Sequence, residues 1–235
     1  PEGITGNLTN DGGTANLEGQ IDGNYTELGP STSNLTGDLT VDGTFTVVGD
    51  FDVDDGNLTV GDLSFGGVLT VGATRTLDLT TVSVVQIGSG DTLSVEGIVV
   101  DDVAIATGGT LTMDTTGVAQ GGVTNNGGDA NLAGQIDGSY LETAGTTDLV
   151  GSLTVTNAFT TLGDLTVDAG DLTVGSLSWG TNLTVADTFT LDLSPDATLT
   201  IGNGQLFTLA GTVADDVAIA VGGTLTMDTT GVAQG

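Results

Sequence analysis

Two stretches of this chain are almost the same. Residues 101–121 read DDVAIATGGTLTMDTTGVAQG and residues 215–235 read DDVAIAVGGTLTMDTTGVAQG, so that only Thr107 against Val221 differs. Upstream, Gln20-Ile21-Asp22-Gly23 matches Gln135-Ile136-Asp137-Gly138, and Asn16-Leu17 matches Asn131-Leu132. The offset is 115 residues early in the chain and 114 later, which places a one-residue gap near Glu27–Ser33. An internal repeat decides architecture before any local propensity does. The chain therefore divides into two modules, 1–121 and 122–235, with no Pro-rich or Ser-rich spacer between them. Independent domains usually meet at a flexible linker. A seamless join is what stacked repeat units make, each contacting its neighbour.

A shorter period runs inside each module. Apolar-Thr-apolar triplets recur at Leu39-Thr40-Val41, Leu58-Thr59-Val60 and Leu69-Thr70-Val71, and again at Leu153-Thr154-Val155, Leu172-Thr173-Val174 and Leu183-Thr184-Val185. Each triplet alternates in the manner of a strand with one buried face. Gly-Asp, Asp-Gly and Gly-Gly pairs separate them as turns. Leu39, Leu58 and Leu77 are 19 residues apart, as are Leu153, Leu172 and Leu191. Three short strands per step of this length predict an all-β fold, a β-solenoid whose successive coils stack strands into long parallel sheets. A coil of the solenoid also supplies the crossover that parallel pairing requires. The alternatives are β-sandwich modules, with 80–120 and 195–225 as the less regular parts, and a trimeric β-fibre. Thr and Val favour strands, Gly and Asp favour turns, and the helix formers Glu, Lys, Arg and Gln are scarce.

Charge removes whole classes of partner. There are 31 acidic residues against one basic residue, Arg75, with no His and no Cys, for a net charge of -30. Nucleic-acid binding depends on Lys and Arg neutralising phosphates, so that partner is excluded. Anionic lipid repels such a chain, and no apolar run is long enough to span a bilayer. No basic start with an apolar core opens the sequence, so any secretion signal is expected outside these residues. The charge density calls for abundant counterions, in an extracellular or strongly saline setting.

The same absences bear on chemistry. Without His or Cys, and with no Lys, a Ser or Thr nucleophile has no base, and transition-metal sites lose their usual ligands. Paired carboxylates alone leave glycosidase chemistry conceivable, but a sugar cleft also wants basic and aromatic side chains, and only nine residues are aromatic (Phe 6, Tyr 2, Trp 1). The expectation is that the chain is not an enzyme. Calcium takes oxygen ligands, and the repeated pairs Asp101-Asp102 and Asp215-Asp216 are the candidate calcium residues, set against a plain role as turn and surface carboxylates. Sequons at Asn7, Asn24, Asn34, Asn57 and Asn182 are candidate glycosylation sites. Three of them have no sequon counterpart in the second module, where Ser139, Asp148 and Asp171 stand opposite Asn24, Asn34 and Asn57. Phe45 with Phe159, and Phe65 with Trp179, are expected to stack in the interior.

Gly37-Asp38-Leu39-Thr40-Val41-Asp42-Gly43 and Gly163-Asp164-Leu165-Thr166-Val167-Asp168-Ala169-Gly170 resemble repeats of two kinds of protein. One is the secreted β-solenoid filaments and adhesins of the filamentous-haemagglutinin and autotransporter-passenger type. The other is viral and phage tail fibres. The resemblance extends in style over most of the chain and implies an elongated, extracellular or cell-surface, non-catalytic role. The expected partner is the protein itself. Copies would form a filament, sheath or surface layer by strand addition at edges that three Pro and no Lys leave unblocked. The other expectation is an adhesin stalk or fibre spacer whose binding tip lies elsewhere.

Overall fold

A computed structural model describes residues 3–194 and 197–234. The chain winds as a β-solenoid of about 12 turns, and no helix occurs among the described residues. Every strand pairing is parallel, including Val84–Ile87 with Asp102–Ile105 and Leu199–Ile201 with Val217–Ile219. The regions 80–120 and 197–225 are thus ordinary coils of the same winding, not sandwich-like parts, while residues 195 and 196 lie outside the described residues.

The 19-residue spacing is the register. Leu39 pairs with Leu58 and Leu58 with Leu77. The column continues through Val99, Ala119, Ile136, Val155, Val174 and Leu193. None of these side chains is more than 3% exposed. A second column runs Phe51, Leu69, Leu93, Leu111, Ala130. A third runs Val85, Val103, Val123, Tyr140. Each coil therefore contributes one layer of aliphatic side chains from several faces to a single core. Within a triplet the central Thr points outward because successive side chains of a strand alternate.

Aromatic rings occupy fixed places in this stack. Tyr25 lies on Phe45 with ring centroids 4.9 Å apart, and Tyr140 lies on Phe159 at 4.8 Å. Phe45 also meets Phe51 edge-on at 5.1 Å. Phe45 and Phe159 are fully buried. The other expected pair is unequal: Trp179 is buried, whereas Phe65 is only half-buried and packs against the core from its margin.

Corner residues are tied coil to coil by side chains that accept backbone amides. Asn57 N donates to Asp38 Oδ1 at 2.8 Å, and Thr76 N donates to Asn57 Oδ1 at 2.9 Å. Asn7, Asn24 and Thr44 form the same ladder in the first coils. In the second module Ser152, Asp171 and Thr190 form it. Polar side chains of the Asx type supply such bonds because they reach a neighbouring amide without leaving the turn.

Candidate functional site

No three acidic side chains converge to hold a metal ion among the described residues. Asp101 is 9% exposed and its Oδ2 accepts Leu79 N at 2.6 Å. Asp215, its copy, accepts Leu193 N at 2.6 Å. Burial raises the Asp101 carboxyl above the usual carboxylate range, against the opposing bond from Leu79 N, with Asp78 and Asp102 adding to the rise. Asp102 instead turns to Gly122 N, at 2.6 Å. Each of these three carboxylates thus holds a backbone amide of an adjacent coil. Asp216 is exposed.

All five sequon residues lie on the outer wall, exposed or half-buried. Asn7, Asn24 and Asn57 use Oδ1 in the ladders described above. Asn34 Nδ2 donates to Asn16 Oδ1 at 3.2 Å, and Asn182 Nδ2 donates to Asp164 Oδ2 at 2.8 Å. Arg75 Nε donates to Asp54 O at 2.7 Å.

A buried polar node occurs once in each module, and nothing in the sequence reading anticipated it. In the first, the Tyr25 hydroxyl meets Ser33 Oγ, which donates to Glu27 Oε1 at 3.1 Å, and Val48 N donates to Glu27 Oε2 at 3.1 Å. In the second, Tyr140 meets Thr147 Oγ1 at 2.5 Å and Thr147 donates to Glu142 Oε2 at 2.8 Å. Burial is the main cause that pushes the Tyr140 phenol up to about 12, and Glu142 adds to it. Asn125 completes the second node at 0% exposure: its Oδ1 accepts Gly128 N at 2.9 Å and its Nδ2 donates to Thr146 O at 2.9 Å. Tyr and Glu match at an offset of 115 and Ser33 with Thr147 at 114, so the gap falls inside the node. The node ties residues of neighbouring segments together inside the wall, which suits a pin between coils.

The surface with most to offer is the one between modules. At the internal junction Val103–Ile105 carries Val123–Asn125, Thr110–Thr112 carries Asp129–Asn131, and Val118–Ala119 carries Gln135–Ile136. Leu111 and Met113 are fully buried there. Among the described residues, the copies of the lower half, Val217–Ala233, pair with a coil on one side only. Ile219 is accordingly 54% exposed, Met227 47% and Val221 96%. At the other end of the described winding, a hollow of about 410 Å³ lies among Ile4, Leu8, Leu17, Ile21 and Leu39, with Asn16, Glu18 and Gln20 among its polar lining. In the second module the places of Ile4, Leu8, Leu17 and Ile21 are taken by Ala119, Val123, Leu132 and Ile136, each no more than 1% exposed.

No family model, curated protein or solved structure matches this chain.

Proposed function

We propose that the protein is an extracellular, non-catalytic structural protein that assembles end to end into a filament, sheath or surface layer. One observation carries this reading. The junction between the two modules is a complete coil-on-coil interface, and the residues of its lower half recur in 217–233 and those of its upper half in 8–21, so that modules of different copies can stack as the two modules of one chain do. Uncovered parallel edges bond readily to further strands unless Lys, Pro or bulges obstruct them. Neither surface contains Lys or Pro. The outward facing of the central Thr of each triplet and the absence of His, Cys and Lys support a scaffold in place of a catalyst.

Electron microscopy of the 235-residue chain at high concentration, with and without a divalent cation, tests this reading. Strands of neighbouring coils sit about 4.8 Å apart, so about 12 turns give an axial repeat of roughly 58 Å per chain. Filaments or sheets with that repeat, or its half for one module, are the expected result. Monodisperse rods at every concentration would refute it and leave a spacer in an adhesin or fibre as the reading.

A further inference from the structure

We infer that the first module takes up an extended strand of another protein, one with Lys or Arg at every second position, along a gap between two of its coils. The site lies on the side wall and is independent of end-to-end assembly.

The gap is an interruption of one wall. Thr32–Leu35 is bonded to Thr14–Leu17 on one side, and Phe51–Val53 is bonded to Leu69–Val71 on the other. Among the described residues no ladder joins Thr32–Leu35 to Phe51–Val53, although they belong to successive coils. The other two walls stay bonded at this level, Tyr25–Thr26 to Phe45–Thr46 and Leu39–Val41 to Leu58–Val60. Both margins of the gap are marked. At one, Val48 N turns to the Glu27 carboxylate. At the other, Leu39 N donates to Asn57 O at 2.9 Å and the ladder resumes. A Cβ on Gly49, at the first margin, would meet nothing within 4 Å, whereas one on Gly61, in a bonded corner, would strike the Asp42 carbonyl. The break recurs at the same place in the second module, between Thr146–Leu149 and Leu165–Val167.

Backbone groups face the gap from both sides. Thr32 N donates to Gly13 O and Val53 O accepts Gly72 N, each at 2.9 Å and each away from the gap. Successive residues of a strand send their N–H and C=O groups to opposite edges, so Ser33 and Asp52 direct theirs into it. An unpaired edge is a template for a further strand, and strand addition draws affinity from main-chain bonds and selectivity from alternate side chains.

The side chains state which strand fits. The gap opens as a hollow of about 360 Å³ lined by Asn34, Thr36 and the carboxylates of Asp50, Asp52, Asp54 and Asp55, all exposed. Asp50, Asp52 and Asp54 recur at every second residue and share the outer face, while Phe51 and Val53 between them are buried. A strand beside them pairs best with basic side chains outward and small apolar ones inward. A second copy of this chain lacks that pattern, having no Lys and one Arg. In the second module Thr166 and Ala169 stand in the places of Asp52 and Asp55, so the first module is the preferred site.

The test uses a fluorescein-labelled peptide, Lys-Val-Lys-Val-Lys-Val-Lys, and the full 235-residue chain, with binding read by anisotropy at about 0.15 M salt, where distant charges are screened. The triple variant Asp52→Asn, Asp54→Asn, Asp55→Asn is expected to weaken binding about ten-fold. The control triple Asp22→Asn, Asp187→Asn, Asp216→Asn removes the same charge from exposed places elsewhere and should weaken it less than about two-fold. N-methylation of the valine amides keeps the charge of the peptide but removes its bonds to one edge, and should also cost about ten-fold. Amide exchange at Ser33 and Asp52 should slow when the peptide binds. Equal weakening by the two triples, undiminished binding of the methylated peptide, unchanged exchange at both amides, or no binding up to about 1 mM peptide would each overturn the inference and leave the assembly reading untouched.

Discussion

Asn10 and Asn125 stand at the same position of the two modules, yet their removal should cost different amounts. Asn125 is fully buried and makes four bonds: Oδ1 accepts Gly127 N at 3.2 Å and Gly128 N at 2.9 Å, and Nδ2 donates to Gly128 O at 3.1 Å and Thr146 O at 2.9 Å. Gly128 is itself buried, so Asn125→Ala strands its amide away from water, at about 1–3 kcal/mol for each group left unpaired. The two more accessible partners regain water and each lose only a net bond of about 1 kcal/mol. The total is about 4–8 kcal/mol. Gly145 closes the escape route: with φ at 105°, it is packed so that a Cβ there would lie 2.9 Å from the Asn125 amide. Asn10 is 8% exposed and makes two bonds, accepting Gly13 N at 3.2 Å and donating to Thr32 O at 3.0 Å. Gly13 and Thr32 are both exposed, so Asn10→Ala should cost about 1–2 kcal/mol. Stacked repeats open locally, coil by coil, so amide hydrogen exchange over residues 123–149 and 8–33 is the proper assay. Protection in the second region should fall by at least about ten-fold more in Asn125→Ala than it falls in the first region for Asn10→Ala, since 1.4 kcal/mol is a factor of ten. Asn125→Asp sets a buried carboxylate oxygen against the Gly128 and Thr146 carbonyls and should cost at least as much as alanine. Equal losses at the two sites would show that the buried bonds are not what holds these corners.

Three further outcomes follow from individual side chains. Thr74 and Thr188, at matching turns, have φ of 68° and 76°; a β-branched residue is strained there, so either change to Gly should raise stability by about 1 kcal/mol in thermal unfolding. Thr161 Oγ1 and Trp179 Nε1 are buried without partners, and the first module has Val47 and Phe65 at those places; Thr161→Val should therefore stabilise by about 1 kcal/mol, measured in urea. The raised carboxyl of Asp101 means that the folded chain holds this proton more firmly than the unfolded one, so its contribution to stability is complete below the ordinary carboxylate range and is lost as pH rises through the folded value. Melting temperature should accordingly rise less on acidification from neutral to about pH 5 in Asp101→Asn than in wild type.

The winding was legible because the sequence repeats the same apolar spacing where coils are regular. Leu39, Leu58 and Leu77 mark the column directly. Elsewhere the period is blurred, since coils differ in length: Leu8 pairs with Tyr25, Tyr25 with Phe45, and Thr92 with Val68. A parallel ladder constrains only the paired strands, so extra residues collect in corners at little cost and erase the periodicity without disturbing the register. That is why 80–120 and 195–225 read as irregular. The polar nodes had a faint signature that went unused. Asn10-Tyr25-Glu27 and Asn125-Tyr140-Glu142 keep the same internal spacing, and they include both tyrosines of the chain. Burial of Asn and Glu is exceptional unless every bond is made, so the shared spacing alone does not mark these residues as interior.

The excess of aspartate has a structural logic that also bears on assembly. Asp38, Asp50, Asp164 and Asp171 each accept an amide from the following coil, at 2.7–3.0 Å. Asp114 draws bonds from the Thr116 side chain, Thr116 N and Gly117 N, which together hold its carboxyl below the usual range although partial burial opposes them. A carboxylate accepts without offering a competing donor, so it suits a corner whose amides face outward. Each such bond strengthens one corner, but repeating it up the solenoid sets like charges in rows along the axis. Neighbouring rows repel unless counterions screen them, over a distance of about 10 Å at moderate salt. The ladder and the repulsion thus arise from the same residues. Adding a second copy end to end extends the rows and enlarges the counterion demand, while the aliphatic columns and backbone bonds gained at the joint are independent of salt. Association should therefore strengthen as salt rises over the range in which the rows become screened, and it should then level off once only the apolar contact remains to be gained.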